Sequence, residues 1–206
     1  MIVFSDIEKN DINSMYKTYD NWPNIARDAH KTNLKQVTFE KTDHIVFGGM
    51  GGSGAIGDIF SSILSKTNIH VDVVKGYLLP KTVDSKSIVV ITSTSGNTEE
   101  TISVLKSAID LGCNIIAFSD GGKIKKICEE NSIEHREISM IHSPRASFTK
   151  FLFSMLKILE PIIPIAENDI QESIHELENL RKKISSKNLN EQNPALSLAY
   201  WITEIP

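Results

Sequence analysis

Residues 43–60 read Asp43-His44-Ile45-Val46-Phe47-Gly48-Gly49-Met50-Gly51-Gly52-Ser53-Gly54-Ala55-Ile56-Gly57-Asp58-Ile59-Phe60. His44-Ile45-Val46-Phe47-Gly48 is a short, β-prone apolar run that stops in glycine. Beyond the turn, Ile56, Ile59, Phe60, Ile63 and Leu64 recur at the spacing of one helix face. A strand, a glycine turn and a helix in that order open a βαβ unit.

The alternation continues downstream. His70-Val71-Asp72-Val73-Val74 reads as a second strand and Ser87-Ile88-Val89-Val90-Ile91-Thr92 as a third. Ile102, Leu105, Ile109 and Leu111 follow at roughly helical spacing, then a fourth strand, Asn114-Ile115-Ile116-Ala117-Phe118. Residues 121–131 read as a short helix, and Glu134 to Ser139 as a weaker fifth strand. Pro144 opens a helix carrying Phe148, Phe151, Leu152, Met155, Leu156 and Leu159. Strands alternating with helices predict a parallel sheet. Strands three and four lack polar alternation, as expected when helices cover both faces. The expected fold over 43–160 is therefore α/β, a doubly wound five-stranded parallel sheet of flavodoxin-like order, with its ligand site outside the carboxyl ends of the strands.

Upstream, residues 1–42 read as a helical arm. Ile12, Met15, Tyr16, Tyr19, Trp22 and Ile25 are placed on one apolar face, and Pro23 predicts a break near Asn21-Trp22. Downstream, 161–193 reads as a connecting helix from Glu167 to about Ser186, with a Glu178–Lys182 pair, followed by a linker. Pro194 starts another helical pattern with Ala195, Leu198, Ala199 and Ile202. Residues 194–206 are expected either to open a second, truncated domain or to dock as a C-terminal helix.

Composition narrows the functional classes. In 206 residues, 22 Lys and Arg against 26 Asp and Glu give a net charge of −4. That balance lacks the footprint of a nucleic-acid binder and the basic blocks of a membrane-surface binder. No apolar run approaches a bilayer span, and the N-terminus does not read as a signal peptide. Two cysteines, Cys113 and Cys128, make neither a disulfide framework nor a four-cysteine zinc site. The expected setting is reducing and cytoplasmic.

Two turns carry the chemistry. In the first, Gly49, Gly51 and Gly54 match the G-x-G-x-x-G dinucleotide fingerprint. Glycines there let backbone N–H groups approach an anion at a helix N-terminus. A dinucleotide site also needs an acidic residue ending the second strand, yet that strand ends Val73-Val74-Lys75-Gly76, with Asp72 too early. The plain alternative is tight strand-to-helix packing. The second turn is Thr92-Ser93-Thr94-Ser95-Gly96-Asn97-Thr98-Glu99-Glu100-Thr101. Capping by Asn97 or Thr98 explains one or two of its polar side chains, but not Ser93, Thr94 and Ser95 as well. Hydroxyls together with helix amides suit a phosphate monoester. No P-loop lysine follows, which argues against nucleoside triphosphate chemistry. In a flavodoxin-like order the two turns are neighbours, so Ser53 and the Ser93–Thr98 loop are expected to face one ligand.

With both turns in place, the chain resembles the SIS (sugar isomerase) domain family, and within it the bifunctional phosphoglucose/phosphomannose isomerases. The resemblance rests on Gly49-Met50-Gly51-Gly52-Ser53-Gly54 with Gly57-Asp58, on Ser93-Thr94-Ser95-Gly96-Asn97-Thr98-Glu99-Glu100-Thr101, and on Ser143-Pro144-Arg145-Ala146-Ser147-Phe148. Tyr19-Asp20-Asn21-Trp22-Pro23 is similar to that subfamily's leader. Thr94 departs from it, since these isomerases often carry an aromatic residue there. The resemblance implies that Gly52, Ser53, Ser93, Ser95 and Thr98 bind a sugar phosphate, and that Arg145 is catalytic, beside C1 and C2 of the open-chain sugar. It implies an isomerisation through a cis-enediolate, a homodimer, and no metal or organic cofactor. A fixed guanidinium stabilises the developing oxyanion without losing its proton. Placed in the first turn of a helix, Arg145 would oppose the helix dipole, which points to a bound anion or a functional role.

The general base and the ring-opening group that the family implies, a glutamate and a histidine, are expected in a second SIS domain beyond this chain. His30, His44, His70, His135, His142 and His175 lie in no matching motif, and Glu99 and Glu100 read as partners of the helix dipole. His142, near Arg145, reads as a loop histidine. Ile205-Pro206 resembles the entrance to the second domain's first strand. The chain is thus expected to be the phosphate-binding half of an isomerase, inactive alone. The alternatives are a non-catalytic sugar-phosphate sensor and a dinucleotide-binding domain.

Overall fold

In the computed structural model, residues 2–32, 34–39 and 42–203 are described. They form two compact units: 29–165, and a helical unit made of 1–28 with 166–206. The elements in chain order are α1 (Phe4–Asn10), α2 (Met15–Asp20), α3 (Trp22–Lys31), β1 (His44–Gly48), α4 (Gly52–Leu64), β2 (His70–Val74), β3 (Ile88–Ser93) and α5 (Glu99–Asp110). They continue with β4 (Asn114–Ser119), α6 (Gly122–Glu130), β5 (Glu134–Glu137), α7 (Phe148–Ile158), α8 (Glu167–Ile184) and α9 (Pro194–Thr203).

The five strands make one all-parallel sheet in the order β2-β1-β3-β4-β5. β1 and β3 are buried along their whole length, as the unbroken apolar runs require. Successive side chains leave a strand on opposite faces, which splits the core in two. Val46, Val89, Ile91, Ile115 and Ala117 pack with Ile102, Leu105 and Ala108 of α5 and Ile124 and Cys128 of α6. On the other face the Phe47 ring stacks on Phe60 of α4 at 5.1 Å. Thr92 there reaches the Met155 sulfur of α7 at 3.8 Å. The sheet is therefore doubly wound, as expected. β5 is the departure in length, because it stops at Glu137. It is an edge strand of polar residues, Glu134-His135-Arg136-Glu137, and Arg136 pairs with Glu134 on it.

The helical unit differs from its expectation in detail. Ile12 lies between α1 and α2 and is 86% exposed, so it does not join the predicted apolar face. The chain turns at Asn21, as predicted. Pro23 falls in the first turn of α3, which tolerates a missing N–H. Residues 34–39 carry no helix, so the arm is three short helices ending at Lys31. The Asp20 carboxylate accepts from the Ser186 N–H and hydroxyl at 3.2 and 2.5 Å. Glu178 pairs with Arg27 at 3.2 Å and approaches Lys182 at 4.0 Å. α9 begins at Pro194 behind Asn193, whose side-chain oxygen accepts from the N–H groups of Ala195 and Leu196. Ile205-Pro206 lies outside the described residues. Among them, no helix is long and apolar enough to cross a membrane.

Candidate functional site

The switch point of this sheet lies between β1 and β3, which leave in sequence toward α4 and α5. The turn after β1 is built by close approach. A Cβ on Gly49 would stand 2.9 Å from the Thr92 carbonyl oxygen and 3.1 Å from the Ser53 Cβ. The first turn therefore touches the end of β3, and Ser53 lies at that contact. Gly51 precedes α4 at φ +55°, ψ −124°, a conformation essentially restricted to glycine. Gly52 and Ser53 then occupy the first turn of α4, and the Ser53 and Gly54 N–H groups both donate to the Met50 carbonyl, at 3.1 and 3.3 Å. A Cβ on Gly52 would meet the Phe148 ring at 3.8 Å, so the start of α7 borders the same turn.

The turn after β3 is built by hydrogen bonds. Thr98 occupies the N-cap position of α5, but its side chain does not cap the helix. Its Oγ1 lies 3.0 Å from the Ser93 Oγ. This pair owns two protons and uses one internally, which leaves one to donate outward. Ser95 is exposed; its Oγ accepts from the Asn97 N–H at 3.3 Å and keeps its own proton to donate. Asn97 ties the loop down: its amide donates to the Ser95 carbonyl, and its side-chain oxygen accepts from the Lys123 N–H. Gly96 is left-handed at φ +66°, and its carbonyl accepts from the Ile124 N–H at 2.9 Å. The Lys123 ammonium, 2.5 Å from Glu99, holds that carboxyl below its ordinary range.

A third glycine turn, Asp120-Gly121-Gly122 after β4, supports this loop. Ser119, fully buried, donates to the Gly121 carbonyl at 2.8 Å and accepts from the Gly121 N–H at 3.1 Å. With its proton so committed, Ser119 accepts from the His135 Nε2–H at 2.8 Å. Burial is the largest cause holding the His135 pKa below its ordinary value, with the Lys125 charge adding to it. These supports went unread in the sequence. The glycine pair at 121–122, following a strand as Gly48-Gly49 does, was the available signal.

Arg145 is placed differently from its expectation. α7 starts at Phe148, and 143–147 is a run of turns, with the Phe148 N–H donating to the Arg145 carbonyl at 3.3 Å. Arg145 is thus exposed on a turn ahead of the helix, and the helix-dipole argument for it does not apply. It remains three residues from the ring that borders Gly52. His142 is exposed and left-handed, at φ +57°. Lys75, at the end of β2, packs its stem near Gly54 and pairs with Asp58 at 2.6 Å. A cation therefore stands where a dinucleotide site needs an acid. Among the described residues, the group able to hold a metal ion lies at the amino ends of β1 and β2, away from these turns.

The fold and the two strand-to-helix turns define an α/β domain, and comparison with known proteins gives its family. Residues 38–159 match the model of the SIS domain, and the chain belongs to that family. It is 33% identical over 199 residues to the bifunctional phosphoglucose/phosphomannose isomerase of Caldicellulosiruptor bescii, covering 91% of this chain and 58% of that protein. The protein of the same name from Aquifex aeolicus is 32% identical over 181 residues, covering 85% and 53%. The chain thus spans little more than half the length of these curated relatives. Among solved structures, a glucosamine-6-phosphate deaminase from Thermotoga maritima superposes with a TM-score of 0.61 at 15% identity, over 81% of this chain and 54% of that one. At that identity the likeness concerns the fold.

Proposed function

We propose that this chain is the phosphate-binding half of a sugar-phosphate isomerase that interconverts glucose 6-phosphate or mannose 6-phosphate with fructose 6-phosphate. The observation that carries this is the Ser93–Thr98 hydroxyl pair at 3.0 Å with Ser95 exposed beside it, at the carboxyl end of the central strand. The Ser93–Thr98 pair and Ser95 each leave one proton to donate, and with the Gly52 amide at the start of α4 they supply donors to a phosphate dianion without a basic residue. The substrate class follows from the names of the two curated relatives.

The chemistry moves a proton between C1 and C2 through a cis-enediolate. Negative charge develops on the sugar oxygens, and the Arg145 guanidinium stabilises it while remaining protonated. Proton transfer needs a positioned base and ring opening needs an acid/base group. Both come from residues outside this chain, so the chain binds substrate but does not turn it over alone. The working protein is a cytoplasmic homodimer.

Calorimetric titration of the chain with fructose 6-phosphate, with NADH as control, tests this. Saturable sugar-phosphate binding without NADH heat is expected, and Ser95→Ala should weaken it at least about tenfold, the worth of a hydrogen bond to a charged group. Heat from NADH alone would overturn the assignment in favour of the glycine fingerprint. Binding without turnover after the remaining half is supplied would turn the enzyme into a sensor.

A further inference from the structure

At the opposite end of the sheet, His44 opens β1 and His70 opens β2 as its register partner, with Asp72 two residues along β2. A five-residue strand separates these positions from the glycine and hydroxyl turns by about 16 Å. The His44 Nε2 lies 2.9 Å from the Asp72 Oδ2, and the His70 Nε2 lies 3.3 Å from that same oxygen. The three donor atoms fall within 4.8 Å of one another. Ligand atoms about 2.0–2.1 Å from a tetrahedral ion stand about 3.3–3.4 Å apart, so two of the three separations are already near those of a zinc-type coordination shell.

A buried hydroxyl stands behind His44. The Ser87 Oγ lies 3.2 Å from both the His44 Nδ1 and the Asp84 Oδ1. In the arrangement where Ser87 donates to Asp84 it accepts from the His44 Nδ1–H, and the Nε2 lone pair then faces the Asp72 carboxylate 2.9 Å away, open to an ion. The Asp84–Ser87–His44 relay is the kind of outer support that fixes the tautomer and orientation of a metal-binding imidazole. The His70 side chain is 63% exposed, so the group is reachable from solvent and leaves a position for water.

We propose that His44, His70 and Asp72 bind one divalent transition-metal ion of the zinc class, with water completing the shell. Two imidazoles and one carboxylate suit zinc, cobalt or copper rather than calcium or magnesium, which take oxygen ligands. The ion clips β2, an edge strand, to β1. It takes no part in chemistry at the turns, so this assignment stands or falls separately from the proposed isomerase.

The test is titration of the chelator-stripped full chain with Zn2+ by calorimetry and with Co2+ by visible absorption. One equivalent is expected to bind, with a tetrahedral Co2+ spectrum and a rise in Tm on adding Zn2+. His70→Ala and Asp72→Asn, checked for folding by circular dichroism, should each weaken binding more than tenfold and abolish the rise in Tm. Ser87→Ala should weaken it about tenfold, in the range of outer-shell substitutions. No saturable uptake, or uptake undiminished in both ligand variants, would overturn the site.

Discussion

The two turns at the carboxyl end of the sheet solve the same problem, a strand passing into a helix, by different physics. The turn after β1 is shaped by missing side chains: Gly49, Gly54 and Gly57 each sit where a Cβ would come within 3.0 Å of a neighbour. The turn after β3 is shaped by polar bonds among Ser93, Ser95, Asn97 and Thr98, braced by the turn after β4. A glycine fingerprint therefore reports backbone proximity and is shared by many ligands. A hydroxyl set reports donors, which narrows the ligand. That is why Gly49, Gly51 and Gly54 pointed toward a dinucleotide while Ser93, Ser95 and Thr98 pointed toward a phosphate monoester.

The sharpest way to break this contrast is to add one methyl group to each turn. Gly96→Ala would place a Cβ 1.9 Å from the Gly121 carbonyl oxygen at φ +66°, and should cost about 3 kcal/mol or more. Gly54→Ala meets the Gly49 carbonyl at 2.8 Å with no unusual φ, and should cost about 2 kcal/mol. Urea midpoints at unchanged m-value read both; a reversed order would make the first turn the more tightly built.

Ser119→Ala comes next. It strips the donor to Gly121 and leaves the His135 Nε2–H without its acceptor, for an expected loss of about 1–2 kcal/mol. No loss would mean that the third turn braces nothing.

Acidification is a gentler probe. Because the His135 pKa is lowered in the fold, the unfolded chain binds more protons once pH falls below its ordinary value near 6.5. Stability is then present above that value and lost as pH falls through the lower folded value. The Tm should drop between pH 7.5 and 5.5, and His135→Asn should flatten that part of the drop. The smallest expected effect is on Ser95→Ala, which should change stability by less than about 0.5 kcal/mol, since the side chain is exposed. A large loss there would make Ser95 a structural residue of the loop.

Much of the fold was legible because apolar runs bounded by glycine leave few choices. β1 and β2 fall on the residues predicted, and β3 is displaced by one residue toward the turn. The helical arm was less legible, because a three- to four-residue apolar recurrence assumes one continuous helix. The chain instead breaks at 11–14 and strands Ile12 in solvent. Within the site, the sequence could place Ser93 and Thr98 on one loop but could not say that they pair with each other rather than cap α5. Arg145 was misplaced because proline commonly opens helices, whereas here Pro144 starts a run of turns and Phe148 opens α7. Asp72 was read only as failing the dinucleotide test. Its partners His44 and His70 come from strand register, which no local pattern reveals.

The bond from the Ile124 N–H to the Gly96 carbonyl sets a timetable for synthesis. A chain made from its amino end presents the hydroxyl loop well before residue 124 exists, and before Gly121 can be braced by Ser119 and the later His135. Until then the loop keeps only the bonds it makes within itself, and lacks those from the Lys123 and Ile124 N–H groups. The candidate phosphate site is therefore among the last parts of the sheet domain to mature on the ribosome, and a nascent chain halted short of β4 should capture no sugar phosphate.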